Sequence, residues 1–396
     1  MPPRSPALLW VTTKTPWPPI DGGRLLVVET LRALHAAGVA ITLVAPALAG
    51  KAAATAAAGP LGEFCRAVLV PVRSRGRLAS LLSAKVLRVP VTLARHRQRR
   101  VREAVAREVL APAPALVVAE QLQALWAARA GGLPIVLRQQ NVESDLWTAW
   151  AERGGLFARS LSAEAKRLRR AEVEALRGVA ATITLTARDC ARLRELGAGE
   201  VRIESVPAPF PEQLPAAERS LDGSPPIVLL GSGGWAPNRD QVDWFVGEVW
   251  PLARAAVPAA RLHVFGAPAD GADVRVHAAP ADSKDAFAPG AVLVVPLRVG
   301  SGVRMKILEA WARGVPGVAT PAAAEGLEAR DGAELLLAKD GAGFAAALSR
   351  LGREPGLAGA LTAAGRNLLR RRHDPARVAA QLIEIFASVE AAASRS

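Results

Sequence analysis

The stretch Val292–Glu309, VLVVPLRVGSGVRMKILE, decides how the rest of the chain is read. It opens with an apolar run, Val292 to Val295, of the length and composition of a buried strand. It breaks at Pro296, passes Gly300, Ser301 and Gly302, and resumes as a helix. A strand that turns through glycine into a helix is the building unit of a parallel sheet, because parallel strands need a crossover connection. The turn also carries chemistry. Gly300 and Gly302 let the backbone approach a ligand, and Ser301 can cap the following helix. The amides at that helix start, with Arg304 and Lys306 beside them, form a natural diphosphate site. Glu309 follows Lys306 on the same helical face, placed to accept hydrogen bonds from ribose hydroxyls. The plainer reading is a capped helix with a Lys306–Glu309 surface pair, which leaves the glycines and clustered cations without a purpose.

Outward from this turn, short apolar runs alternate with helical patterns along the whole chain. Strands are predicted at Leu8–Thr12, Ala40–Ala45, Ala67–Val70, Ala115–Val118, Pro134–Leu137, Ala181–Leu185 and Val201–Val206. A Pro-rich stretch of weak periodicity then interrupts the pattern. The alternation resumes at Ile227–Leu230, Arg261–Phe265, Val292–Val295, Gly317–Ala319 and Glu334–Leu337. This predicts an α/β protein with a first doubly wound, Rossmann-like domain over residues 1–206, a linker over 207–226 and a second such domain over 227–374. A closing helix over 375–396 follows, with Val378, Leu382, Ile385, Phe386 and Val389 at helical spacing. Such sheets bind ligands at the carboxyl ends of their strands, and two of them are expected to face a central cleft.

With 396 residues, 51% of them hydrophobic and 22% charged, the chain has the composition of a globular protein of two or three domains. No apolar run reaches the roughly 20 residues of a membrane span, and no signal peptide is visible, so a cytoplasmic protein is expected. Cys65 and Cys190 are too few for a disulfide framework or a zinc cluster and read as inert thiols. The net charge of +14 predicts attraction to anionic partners. The densest basic stretch runs from Arg66 to Arg107, and a second from Arg153 to Arg177. Two readings stand side by side: a solvated face of Arg-rich helices, or peripheral docking on an anionic membrane at its inner face. Nucleic acid is not expected as a partner, because no nucleic-acid-binding motif accompanies the charge.

The Val292–Glu309 segment resembles the donor-binding signature of GT-B glycosyltransferases, particularly the large family 4 of retaining, nucleotide-sugar-dependent enzymes. Pro16–Gly23 is similar to that family's first glycine-rich loop, and Arg138–Trp147 to its central Arg-x-His-Asn-x-Glu segment. Gly231–Pro251 and Ala319–Leu327 resemble its Gly-x-x-x-x-x-Pro-Asn and Thr-x-x-x-x-Glu-Gly-Leu elements. The resemblance implies a hexosyltransferase of GT-B architecture that needs no metal and no cofactor beyond a nucleotide-sugar co-substrate, UDP- or GDP-linked. It implies a donor site of Gly231, Ser232, Gly300, Ser301, Gly302, Arg304, Lys306, Glu309, Glu325, Gly326 and Leu327. Asp21, Gly22, Gly23, Arg138, Asn141 and Glu143 would line the acceptor or phosphate side. Arg304, Lys306 and Gln140 would serve catalysis.

Two departures from the family pattern bear on mechanism. Many relatives carry a glutamate eight residues before the one matched by Glu309, and Ser301 stands there. Many have His where this chain has Gln140, and Gln cannot accept a proton, although it can hydrogen-bond a sugar hydroxyl. The expected chemistry is sugar transfer to a glycan, lipid-linked, protein or small-molecule acceptor, with the burden on stabilising the leaving phosphate. Two alternatives stay open: a nucleotide-sugar epimerase of the same architecture, and a catalytically weakened sugar-binding or scaffold protein.

Overall fold

The computed structural model describes residues 7–48, 50–73, 76–110, 114–155, 157–197, 199–218, 220–231, 236–280 and 283–395. They fall into two units. One comprises Met1–Pro18, Leu26–Pro209 and Pro375–Ser396, the other Pro19–Leu25 and Phe210–Asp374.

The first unit is built on strands β1 (Leu8–Val11), β2 (Ile41–Ala47), β3 (Arg66–Pro71), β4 (Leu116–Glu120), β5 (Ile135–Gln139), β6 (Ala181–Thr184) and β7 (Ile203–Ser205). They form one sheet in the order β3-β2-β1-β4-β5-β6-β7, and every pairing is parallel. β1, β4, β5 and β6 are buried along their whole length, as expected of strands covered by helices on both faces. The strand order reverses between β1 and β4, where such a sheet opens a crevice.

The second unit repeats the plan with β8 (Pro226–Leu230), β9 (Arg261–Phe265), β10 (Val274–His277), β11 (Val292–Val295), β12 (Gly317–Ala319) and β13 (Leu336–Leu337). Their order is β10-β9-β8-β11-β12-β13, all parallel, with the reversal between β8 and β11. The sequence pattern anticipates every strand except β10. That strand reads Val-Arg-Val-His at the sheet edge and is only half-buried, so it lacks the apolar run that marks its neighbours.

The closing helix runs Pro375–Ala393, and Val378, Leu382, Ile385, Phe386 and Val389 are all buried. Although it follows the second unit in sequence, it packs into the core of the first, among Leu8, Trp10, Leu31 and Leu43. Each such side chain removed from water contributes about 1.5–3 kcal/mol. The described part of the Pro-rich stretch before β8 has no helix or strand. From Phe210 it is held to the second unit: Phe210 N donates to His373 O at 2.7 Å and Leu214 N to Ala312 O at 3.1 Å. No helix among the described residues is long and apolar enough to cross a membrane.

Candidate functional site

In the second unit the quoted stretch folds as β11, a loop, and the helix Met305–Arg313. The two glycines of the loop are required for different reasons. Gly302 sits at φ +73°, the left-handed region, whereas a Cβ on Gly300 would meet Leu297 Cδ2 at 2.8 Å and Arg304 Nη2 at 3.1 Å. The helix closes on Gly314 at φ +75°, whose amide returns to Trp311 O. Ser301 is not the helix cap. Arg304 occupies that position with no side-chain cap bond, and its guanidinium instead turns back onto the Ser301 and Gly302 carbonyls. A cation is thereby fixed over the loop that the glycines shape.

Lys306 reaches across the reversal point of the sheet. From the first turn of the helix after β11 its Nζ donates to Leu230 O, at the end of β8, over 2.8 Å. Gln241 Nε2 donates to the same carbonyl at 3.0 Å. Burial, and then the neighbouring Arg304 charge, push the Lys306 ammonium down to about 7. The group is therefore held at a cost that an incoming anion would relieve. Close by, Arg298 pairs with Asp240 at 2.7 Å and lies 5.2 Å from the centre of the Trp244 ring. Sequence reading passed over this tie between the β8 and β11 connections, although Arg298 lies in the stretch quoted first.

Glu309 is buried, and its Oε1 accepts from Ser283 Oγ at 2.5 Å and Arg313 Nε at 3.0 Å. Its partner is thus Arg313, one helical turn on, and Lys306 points to β8. Glu325 ends the short helix Pro321–Ala324, Gly326 follows at φ +82°, and Leu327 is buried. Thr320 caps that helix and ties it through Oγ1 to Leu297 O, in the connection after β11. Gly231 lies at the end of β8, where a Cβ would meet Ala267 Cβ at 2.9 Å and Val242 Cγ2 at 3.0 Å. Ser232 lies outside the described residues. Gly231, Gly300, Ser301, Gly302, Arg304, Lys306, Glu325 and Gly326 thus all stand in connections that leave the carboxyl ends of β8, β11 and β12.

The polar residues read from the first unit behave differently. Arg138 corrects the expectation of a ligand-facing group. Its side chain is 1% exposed, and Nη1 donates to Glu120 at 3.0 and 3.1 Å while Nη2 donates to Thr30 Oγ1 at 3.0 Å. Trp10 Nε1 and Gln140 Nε2 complete the shell around Glu120. The other end of the Gln140 amide accepts from Gln121 Nε2 at 2.9 Å, so Gln140 is committed to this network rather than held out to a sugar. Gln121 itself has φ +70°, a strained conformation for a residue with a side chain.

Asn141 lies in the turn between β5 and the helix Glu143–Glu152. Glu143 opens that helix; burial raises its carboxyl pKa, and a hydrogen bond from Gln123 opposes the rise. Glu172 caps the same helix from a neighbouring one, taking Glu143 N at 2.7 Å and Ser144 Oγ at 2.5 Å. Asp21 caps the helix Gly22–Ala36 through Arg24 N at 2.9 Å, and Gly22 and Gly23 form its first turn. Sequence reading also missed a cavity of about 60 Å³ lined by Thr12, Thr13, Arg95, His96 and Gln123. It is large enough for several waters. Both thiols are buried, and burial pushes Cys65 up to about 12.

With this geometry in view, residues 225–354 match the family described as Glycosyl transferases group 1. No match was found among curated proteins. Among solved structures, the chain is similar to Anabaena HepE in complex with UDP-glucose, at 13% identity over 97% of this chain and 100% of that one, with a TM-score of 0.68. It is similar to sucrose-phosphate synthase from Thermosynechococcus elongatus at 16% identity over 98% and 100%, with a TM-score of 0.72. A glycosyltransferase from Rickettsia africae matches at 11% identity over 97% and 98%, with a TM-score of 0.62. At these identities the likeness is one of fold.

Proposed function

We propose that this glycosyltransferase, of GT-B fold and with a glycosyl transferases group 1 domain at residues 225–354, moves a hexosyl group from a nucleoside diphosphate sugar to an acceptor hydroxyl. The observation that carries the proposal is Lys306. It is a half-buried cation bridging the two strands at the reversal point, beside Arg304 and a glycine loop that keeps side chains away. Such a site suits a diphosphate, whose charge would restore the ammonium to its ordinary protonation and gain charge-assisted hydrogen bonds from it. HepE with bound UDP-glucose favours a uridine nucleotide; GDP is the second candidate.

In the reaction the bond from the sugar C1 to the diphosphate oxygen breaks, and its electron pair leaves with the phosphate. Arg304 and Lys306 stabilise that developing charge, because they are fixed before the reaction begins. The acceptor oxygen bonds to C1, and its proton passes to the departing phosphate, with retention of configuration and without a metal. Glu309, held buried by Arg313 and Ser283, fixes the helix that carries Arg304 and Lys306, and the amides after Glu325 meet the distal phosphate. Gln140, Arg138 and Glu143 act by shaping the first unit. The acceptor is a glycan, a lipid-linked saccharide, a protein or a small molecule, and the basic first unit makes peripheral contact with an anionic membrane.

The test is a calorimetric panel of UDP, GDP, ADP and dTDP on the wild type and Arg304→Ala, followed by turnover of the matching sugar with and without acceptors. Selective binding of one nucleotide, weakened in the variant, is the expected result. Interconversion of the sugar nucleotide without an acceptor would establish an epimerase instead. Binding with no turnover over many acceptors would favour a scaffold.

A further inference from the structure

Among the described side chains of the helix Arg77–Leu87, two small residues are buried while four large apolar ones are exposed. Ser80 and Ala84 face inward at 2% and 7% exposure, whereas Leu81 is 53% exposed, Leu82 59%, Val86 80% and Leu87 45%. At about 100° per residue, Leu81, Leu82 and Val86 fall on one outward face with Lys85 between them. Single exposed leucines are ordinary, but three apolar side chains grouped around a lysine on one face turned away from the core mark a surface that something else covers.

The charge around that face selects the partner. From Phe64 to Arg102 the sequence contains no Asp or Glu. Arg73, Lys85, Arg88 and Arg95 are exposed, and among the described residues none of them has a carboxylate within ion-pair distance. A second copy docked through this face would set these cations against one another, at a cost in affinity. A surface that is apolar within and anionic at its rim satisfies both features.

We propose that the helix Arg77–Leu87 is the element that docks the protein on an anionic lipid bilayer. Leu81, Leu82 and Val86 enter the boundary between headgroups and acyl chains, while Lys85, Arg88 and the surrounding arginines meet lipid phosphates. The inference gives the membrane contact proposed above its location, and it is independent of the donor site.

Sedimentation of the full chain with phosphatidylcholine vesicles, with and without phosphatidylglycerol, tests it. The wild type should bind only the anionic vesicles, and Leu82→Glu/Val86→Glu should weaken binding by about tenfold or more. Lys166→Glu/Arg170→Glu, on the basic helix Ala158–Arg177, should change it far less. Leu82→Ser/Val86→Ser provides a milder variant should the acidic pair fail to fold, and it should also bind more weakly. The proposal is overturned if the wild type ignores anionic vesicles, if either apolar variant binds like wild type, or if the Ala158–Arg177 variant loses binding as strongly. It is equally overturned if the wild type is a dimer that the apolar substitutions dissociate and that does not bind vesicles, since the face would then cover a second copy. UDP titration of each variant separates this outcome from the donor reading, because lost vesicle binding with unchanged UDP affinity concerns the helix alone.

Discussion

At the carboxyl end of β4 the first unit closes its polar groups on one another, whereas at the ends of β8 and β11 the second unit holds cations against backbone carbonyls. Both sheets are doubly wound, and both place arginine, amide and carboxylate side chains near a strand-order reversal. In the first unit Glu120 is surrounded by Arg138, Gln140 and Trp10, all buried or nearly so. In the second, Lys306 bonds to the Leu230 carbonyl, an acceptor that carries no full charge, and Arg304 reaches the Ser301 and Gly302 carbonyls beside it. A buried ion pair that is already satisfied offers a ligand little. A desolvated ammonium on a neutral carbonyl still gains from a full negative charge. The same fold thus yields a closed polar framework in one unit and, in the other, the cationic turn proposed above as the nucleotide site.

The contrast can be broken most sharply at Arg138. Arg138→Ala leaves Glu120 buried without its counter-charge and should cost about 3–5 kcal/mol of stability; a denaturant titration showing a loss under 1 kcal/mol would make the network dispensable.

Glu172 sharpens the framework side. Burial raises its carboxyl from 4.5 to about 7, so the folded state holds a proton that the unfolded chain releases. Its contribution to stability is therefore present below about 4.5 and lost as pH rises through about 7. Glu172→Gln should flatten the stability profile across that window by up to about 1.4 kcal/mol per pH unit, read from melts at several pH values. Lys306 gives the ligand-side counterpart. With a free-state value of about 7, nucleotide binding must take up a proton at higher pH. Affinity should be level below pH 7 and fall above it by at most about tenfold per unit, and Lys306→Arg should remove the decline. The smallest effect is expected at Gly302, at φ +73°. Gly302→Ala should cost about 1 kcal/mol of stability and weaken nucleotide binding through the altered loop, whereas Gly326→Ala tests the neighbouring connection in the same way.

Much of the fold was legible because parallel strands announce themselves as apolar runs between helices. β10 was not, since Val-Arg-Val-His at a half-buried edge carries no such run. The glycine loop after β11 and the two cations beside it could be read from order and spacing alone. What spacing could not give was direction: whether Lys306 turns to Glu309 or to the end of β8, and whether Arg138 faces outward or into Glu120, depend on tertiary packing. The helix Arg77–Leu87 teaches the same lesson in reverse. Its place in a basic stretch does not say which side chains face inward, and only the structure shows that Ser80 and Ala84 do.

The most direct test of the account is a calorimetric titration of UDP into the wild type and Lys306→Ala, with thermal melts of both. The account predicts saturable binding to the wild type, a loss of about thirtyfold or more in the variant, and a melting temperature that does not fall. Equal affinity in the two proteins would contradict it, because the diphosphate would then rest on groups other than the Val292–Glu309 turn.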